Sequence, residues 1–249
     1  KLSFILYLSA WLEKTGPKIK DFRSGFLPFV LLLIPVIVAM SYQRDIGTLA
    51  IIVLTAGAMF FVSGTSYPQI GLGLLGGGLL FLLLTAIEPY RWQRLMTFFN
   101  PQADPLVSGY HITQSLLAIG SGGLWGRGFG QSLQKYLYLP EPHTDSIFAI
   151  IVEELGFFRA TVVLVLIGAL AYRGYQIAGR AGDGFARMTV FGITSWLLFQ
   201  SFINIAAILG LIPLTGVPLP LISYGGTSLI MSLFAIGIVL NISRHRYGT

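Results

Sequence analysis

Residues 139–154 read Leu-Pro-Glu-Pro-His-Thr-Asp-Ser-Ile-Phe-Ala-Ile-Ile-Val-Glu-Glu and hold four of the ten acidic residues of this 249-residue chain. An apolar segment follows at once, so the charges stand at the mouth of a lipid-embedded helix, where charge is costly and marks a functional site by default. Asp145 suits general-base chemistry. A carboxylate partly withdrawn from water loses solvation of its charged form, and its pKa rises toward a working range. The same residue stands where a helix begins, so it could instead cap the helix by accepting backbone N–H bonds. His143 could orient Asp145, bind a phosphate or hydrogen-bond within the loop. Glu153 and Glu154 follow two turns later. At 100° per residue Glu153 lies about 80° from Asp145 around the helix and Glu154 about opposite it. Both cannot face lipid, so at least one should meet a polar cavity or a basic residue on a neighbouring helix.

Two further groups could handle a polar ligand. Glu88-Pro89-Tyr90-Arg91-Trp92-Gln93-Arg94 places Arg91 and Arg94 three apart, on one helical face. Paired guanidiniums suit an anionic headgroup or a diphosphate, and equally suit anchorage by snorkelling. Residues 213–228 form a proline-punctuated loop running into a glycine-broken helix start, with Ser223, Tyr224, Thr227 and Ser228 as hydrogen-bonding side chains. Irregular backbone at membrane depth is tolerated where it lines a cavity. The chain has no cysteine and three dispersed histidines, which argues against a tight protein metal site and excludes a thiol nucleophile. No Ser-His-Asp order, Walker loop or dinucleotide fingerprint is present.

The elements that position these residues follow from composition. The chain is 54% hydrophobic and 10% charged, with mean hydropathy +0.75. A soluble domain carries about 25% charged residues, so this is an all-α polytopic membrane protein. Apolar runs long enough to cross a bilayer predict seven spans. A partial one covers about 1–12. The others cover about 26–42 (with Pro28 and Pro35 as kinks), 46–63, 67–87, 146–172, 187–211 and 221–243. Lys14, Lys18, Lys20 and Arg23, then Arg173, Arg180 and Arg187, then Arg244 and Arg246, fall on one side, which should be the cytoplasm. That leaves the C-terminus inside and residues 88–145 outside. The net charge of +6 reflects those loops and not a nucleic-acid partner. The 88–145 segment is far longer than an ordinary connection and rich in aromatics, so it should form an ordered cap, with a short amphipathic helix near 110–119 and a bent glycine-rich turn at 121–130. The glycines at 71, 73, 76, 77 and 78 should allow close helix approach. The whole of 1–249 reads as one integral membrane domain. With no initiator Met and no leader pattern, it reads as the body of a longer protein whose first spans are absent.

Together these stretches resemble the SEDS family (shape, elongation, division and sporulation) of multispan cell-wall glycosyltransferases. The resemblance rests on Glu88-Pro89-Tyr90-Arg91, Phe99-Asn100-Pro101, Asp104-Pro105, Ser108-Gly109-Tyr110, Gln114-Ser115, the glycine-rich 119–130 run, 139–156 and 213–228. Gln131-Ser132-Leu133-Gln134-Lys135 looks more like the division branch than the elongation branch. Arg159 departs from the small or apolar residue usual after Glu-Glu-Leu-Gly-Phe.

The resemblance implies a ten-span protein of the bacterial cytoplasmic membrane, of which this chain would be the last seven spans. It implies polymerisation of lipid II into the β-1,4 glycan of peptidoglycan during cell division, with Asp145 as the catalytic base. Arg91, Arg94, His143, Glu153, Ser223 and Tyr224 are then the candidate substrate-binding residues. It implies no firm cofactor. Either a basic group or a divalent cation, magnesium or manganese, should offset the leaving diphosphate. The implied partners are a class B penicillin-binding protein and other division-complex membrane proteins. A lipid II flippase and a non-catalytic scaffold remain alternatives.

Overall fold

The computed structural model of the chain describes residues 1–100, 108–136 and 139–244. The motif positions Pro101, Asp104, Pro105 and Tyr138, and Arg246 of the tail, lie outside the described residues. Among the described residues the regular structure is helical. The α-helices are α1 (Leu2–Thr15), α2 (Leu27–Tyr42), α3 (Ile46–Val62), α4 (Tyr67–Ile87), α5 (Pro89–Phe99), α6 (Ser108–Gly122), α7 (Ile147–Gly179), α8 (Gly184–Ile208) and α9 (Gly226–Arg244). Among the described residues four helical segments are long and apolar enough to cross a membrane: Phe22–Tyr42, Tyr67–Ile87, Gly184–Ile208 and Gly226–Arg244.

The chain forms two compact units. The first comprises Lys1–Leu84, Leu170–Phe199 and Met231–Thr249. Its α1 buries Leu2, Ile5, Leu8 and Leu12, the spacing of one helical face. Leu8, Ile51, Met59, Val190 and Ile193 are wholly enclosed there. Asp45 caps α3 by accepting the Thr48 N–H at 2.9 Å. Pro28 stands at the start of α2, directly after the π-helical turn Phe22–Phe26, and Pro35 lies inside α2. The α4 glycines depart from expectation: among the described residues nothing lies within 4 Å of a Cβ placed on Gly71, Gly76, Gly77 or Gly78, and one on Gly73 meets the Phe26 ring at 3.7 Å.

The second unit comprises Thr85–Ala169 and Gln200–Ile230. Two clusters hold α6, the start of α7 and the end of α8 together. One contains Ala118, Leu139, Ala149, Ile150 and Ile208, the other Phe148, Val152, Ala160, Ile205 and Leu219. The expected 146–172 helix is present but not continuous, because Gly156 leaves helical geometry at φ 79°, ψ 174°. Such a break frees main-chain groups that must find partners. The glycine-rich segment supplies them. Arg127 and Gly128 donate their N–H groups to the Glu153 and Glu154 carbonyls at 3.0 Å each, and Phe157 N–H donates to Gly123 O at 3.0 Å.

This pairing requires glycine on both sides. Gly126 has φ 82°, and a Cβ on either Gly126 or Gly156 would overlap the backbone of the other segment. Arg159 reaches the same loop, donating from Nη1 to Trp125 O at 3.4 Å beside the Trp125–Phe158 ring contact. Gly156→Ala should therefore cost about 3 kcal/mol or more through backbone strain and overlap. A thermal-unfolding comparison in detergent checks this. An Ala variant as stable as the parent would contradict the pairing.

Candidate active site

Asp145 stands two residues before α7, in a segment held from three directions. Ser146 Oγ donates to Pro140 O at 2.9 Å and also meets His111 Nε2 at 2.7 Å. Since the hydroxyl proton goes to the carbonyl, His111 carries its proton on Nε2 and donates to Ser146. Ser223 Oγ donates to Thr144 O at 2.6 Å and accepts the Leu219 N–H at 2.7 Å. Tyr224 N–H donates to His143 O at 2.8 Å. From α8, Asn204 Nδ2 donates to Asp145 O at 2.8 Å and to Val217 O at 2.7 Å, while Gln200 Nε2, one turn earlier, donates to Pro218 O at 2.9 Å. Prolines in the 213–220 loop lack N–H groups, so its contacts with α8 run through carbonyls that amide side chains can reach.

The carbonyls of residues 143–145 are thus all engaged, but the Asp145 carboxylate is not. No described residue donates a hydrogen bond to it, so it is not the cap of α7. It is half-buried and faces a cavity of about 330 Å³ shared with Arg94, His111, Glu141 and Asn204. Burial pushes the Asp145 carboxyl above the usual carboxylate range. The negative charge of Glu141 pushes it further up, and Arg94 pulls against both. Burial, then Arg94, hold the His111 imidazole below its ordinary value, with Glu141 opposing, so the ring is neutral at pH 7. Arg94 is fixed over the Tyr90 ring at 4.6 Å and donates from Nη1 to Leu214 O at 3.3 Å. Glu141 holds a left-handed φ of 47° between two prolines and accepts the Thr144 hydroxyl at 2.9 Å. Two charges of opposite sign, a neutral imidazole and an unbonded carboxylate therefore share one cavity. It can bind a polar ligand carrying both anionic and hydroxyl groups, and remove a proton.

Of the residues expected from sequence, Asp145 and Arg94 line this cavity. His143, Ser223 and Tyr224 adjoin it through main-chain bonds, with the Ser223 hydroxyl occupied and the Tyr224 and His143 side chains exposed. Arg91 is half-buried on α5 and does not line it. Glu153 lies elsewhere, fully enclosed. Its carboxylate accepts Ser132 Oγ at 2.6 Å and Leu133 N–H at 3.1 Å, with Arg127 Nε 3.8 Å away. Glu154 accepts Gly130 N–H at 2.9 Å, Ser132 N–H at 3.3 Å and Lys135 Nζ at 2.8 Å. Both glutamates, and not just one, have partners, and those partners sit on the 127–135 loop and not on a neighbouring helix. Sequence reasoning did not single out His111 or Asn204. Asn204 left a signal, since Gln200 and Asn204 form an i, i+4 polar pair on an apolar helix. His111 left only its residue type.

Comparison with known proteins places this geometry in context. Residues 1–248 match the family FTSW_RODA_SPOVE, described as "Cell cycle protein". The chain is 44% identical over 247 residues to Stage V sporulation protein E of Bacillus subtilis (strain 168), covering 98% of this chain and 67% of that protein. It is 42% identical over 250 residues to the probable peptidoglycan glycosyltransferase FtsW of Geobacter sulfurreducens (strain DL-1 / KN400), covering 100% of this chain and 66% of that one. Among solved structures, it superposes on a chain of a peptidoglycan synthase complex that coordinates polymerization and crosslinking. The TM-score is 0.79 at 27% identity, over 99% of this chain and 68% of that chain. It also superposes on the rod shape determining protein RodA of Thermus thermophilus, with TM-score 0.67 at 30% identity, over 99% and 64% of the two chains. The chain spans about two thirds of the length of these relatives.

The two buried glutamates make a direct prediction. Glu153→Ala leaves the Ser132 hydroxyl and the Leu133 N–H without partners and should cost roughly 2–3 kcal/mol. Hydrogen–deuterium exchange should then show faster exchange at the amides of 130–135 with little change in α1. Unchanged exchange in that loop would contradict the arrangement.

Proposed function

The chain belongs to the FtsW/RodA/SpoVE cell cycle protein family, and from that premise we propose that it polymerises lipid II into β-1,4 peptidoglycan at the outer face of the bacterial cytoplasmic membrane, with Asp145 as general base. The observation that carries this reading is the half-buried Asp145 carboxylate, raised in pKa and given no hydrogen bond by any described residue, beside Arg94 in one cavity. The proposed step balances simply. Asp145 takes the proton of the acceptor sugar hydroxyl. The hydroxyl oxygen bonds to the donor anomeric carbon, and the bond from that carbon to the diphosphate oxygen breaks. The diphosphate departs on its undecaprenyl carrier with the electron pair. A base of this kind contributes about 100- to 10,000-fold.

Arg94 supplies fixed positive charge for the leaving diphosphate. His111 keeps its Nε2 proton on Ser146 and so presents a neutral ring to the cavity. A magnesium or manganese ion is the alternative counter-charge. Among the described residues no three His, Asp or Glu side chains converge to cage one, so such an ion would enter on the diphosphate. Ser223 and Tyr224 hold the main chain at 143–144, which makes them positioning residues, and Arg91 is a candidate for the lipid headgroup further out. The topology that goes with this reading has seven spans, the 88–145 segment outside and the C-terminus inside. The partners are a class B penicillin-binding protein, a transpeptidase that would cross-link the new strand, and other membrane proteins of the division complex.

Three outcomes test the proposal. Full-length protein with its transpeptidase partner should convert lipid II to glycan, and Asp145→Asn should lower the rate at least about 100-fold at unchanged protein yield. No polymer from the parent protein, alongside movement of lipid II across vesicles, would favour a flippase instead. The rate should also fall as pH drops through the raised Asp145 pKa, because the ionised carboxylate is the active form. Glu141→Gln removes a repelling charge and should move that acid limb to lower pH. Arg94→Gln removes an attracting charge and should move it higher. Limbs that stay in place or move the other way would contradict the assignment. Because the chain lacks cysteine, single-cysteine labelling reads topology cleanly. Cysteine at Phe129 should react with an impermeant maleimide on intact cells, and cysteine at Gly182 only after permeabilisation. The reverse pattern would overturn the orientation.

A further inference from the structure

Asn204 is 2% exposed and lines the Asp145 cavity. Its amide nitrogen has two protons, and both are engaged by the Asp145 and Val217 carbonyls at 2.8 and 2.7 Å. That fixes which end of the amide is which, because an oxygen in the same place would face two carbonyls with nothing to donate. Oδ1 is therefore the free end, and among the described residues it has no hydrogen-bond partner. A buried carbonyl-type oxygen without a donor is costly, and native structures retain few of them without reason.

Two more unpaired buried atoms, Arg94 Nε and Thr215 Oγ1, belong to residues lining the same cavity. Arg94 Nε can only donate and carries positive charge, so it calls for an anionic acceptor. Asn204 Oδ1 can only accept and is neutral, so it calls for a hydroxyl or amide N–H. Thr215 can serve either role. A ligand that satisfies both ends carries neutral donors beside an anion, as an N-acetylated sugar joined to a phosphate does.

We infer that Asn204 is a substrate-contacting residue whose amide oxygen accepts a hydrogen bond from a hydroxyl or acetamido N–H of the sugar positioned against Asp145. This inference rests on the polymerase reading above and names the contact by which that site recognises a sugar. The same side chain holds the Asp145 main chain, so it ties the position of the base to the presence of the sugar. A buried acceptor of this kind discriminates strongly. A ligand lacking the donor leaves the oxygen unpaired and is rejected more severely than one lacking only apolar contact.

The test perturbs the substrate as well as the protein. Full-length protein with its partner is assayed on native lipid II and on two analogues. One carries hydrogen in place of the GlcNAc 3-hydroxyl. The other carries an N-methylated acetamide. In the parent protein at least one analogue should lower kcat/KM about tenfold or more relative to native substrate. In Asn204→Ala that ratio should collapse toward one, because the group that reads the donor is gone. Asn204→Leu, similar in shape and without an acceptor, serves the same comparison if the alanine variant does not fold. A purely structural asparagine would slow all three substrates equally and leave the ratio intact, which would overturn the inference. So would a parent protein that processes both analogues at the native rate, a result that needs no variant. Absence of polymer from the parent on native lipid II would overturn the polymerase reading and this inference with it. Polymer without discrimination overturns the inference alone.

Discussion

The structure depends on how three carboxylates, all on a ten-residue stretch, are treated differently. Glu153 and Glu154 lie deep in α7 and are supplied with donors from the 127–135 loop. Among the described residues none donates to the Asp145 carboxylate. Buried charge is tolerable when it is paired and hydrogen-bonded, and costly when it is not. The two glutamates thus meet the condition for burial and, in meeting it, fix the loop. Asp145 does not meet it, and its carboxyl responds by resisting ionisation. A carboxylate whose pKa is raised binds a proton more readily once ionised, which is the property a general base requires.

The break at Gly156 is what lets the two treatments coexist. An unbroken helix would keep the Glu153 and Glu154 carbonyls for its own ladder and offer the loop nothing to pair with. With the ladder interrupted, the loop docks by main chain as well as by side chain, and Gly126 gives the close approach that docking needs. Docking of the loop leaves the cavity to be closed by other elements. The proline-rich 213–220 segment does so, held by carbonyl contacts to Gln200 and Asn204. In a lipid setting, apolar burial gives little drive for helices to associate, so such polar ties and close packing carry more of the organisation.

The sequence conveyed the class and the helical segments, because each depends on local composition, and it singled out Asp145 as a candidate from a contiguous motif. Apolar runs show directly, and a charge beside such a run stands out. The 110–119 helix and the glycine-rich turn were also legible from short-range pattern. The pairing of Glu153 and Glu154 with Ser132, Leu133 and Lys135 was not. Those partners lie about 20 residues away in a loop of irregular conformation, and helical periodicity says nothing about such a loop. The α4 glycines misled for a related reason: small residues permit close approach but do not compel it. His111 was passed over because a lone histidine on a short amphipathic helix has no distinguishing spacing. Its meaning comes only from Ser146, 35 residues later. Asn204 was visible as polarity within an apolar helix. Its unpaired oxygen became apparent only once both of its protons were accounted for.

The central claim is that Asp145 is a carboxylate kept unpaired so that it can take a proton. It is tested most directly by titrating that one group, without reference to turnover. Carboxyl infrared or carbon-detected NMR spectra of the protein, with Asp145→Asn subtracted to isolate the signal, would follow its ionisation with pH. The account predicts a midpoint above the ordinary aspartate value. A midpoint at or below that value would mean the carboxylate is stabilised by donors or cations, and would contradict the account.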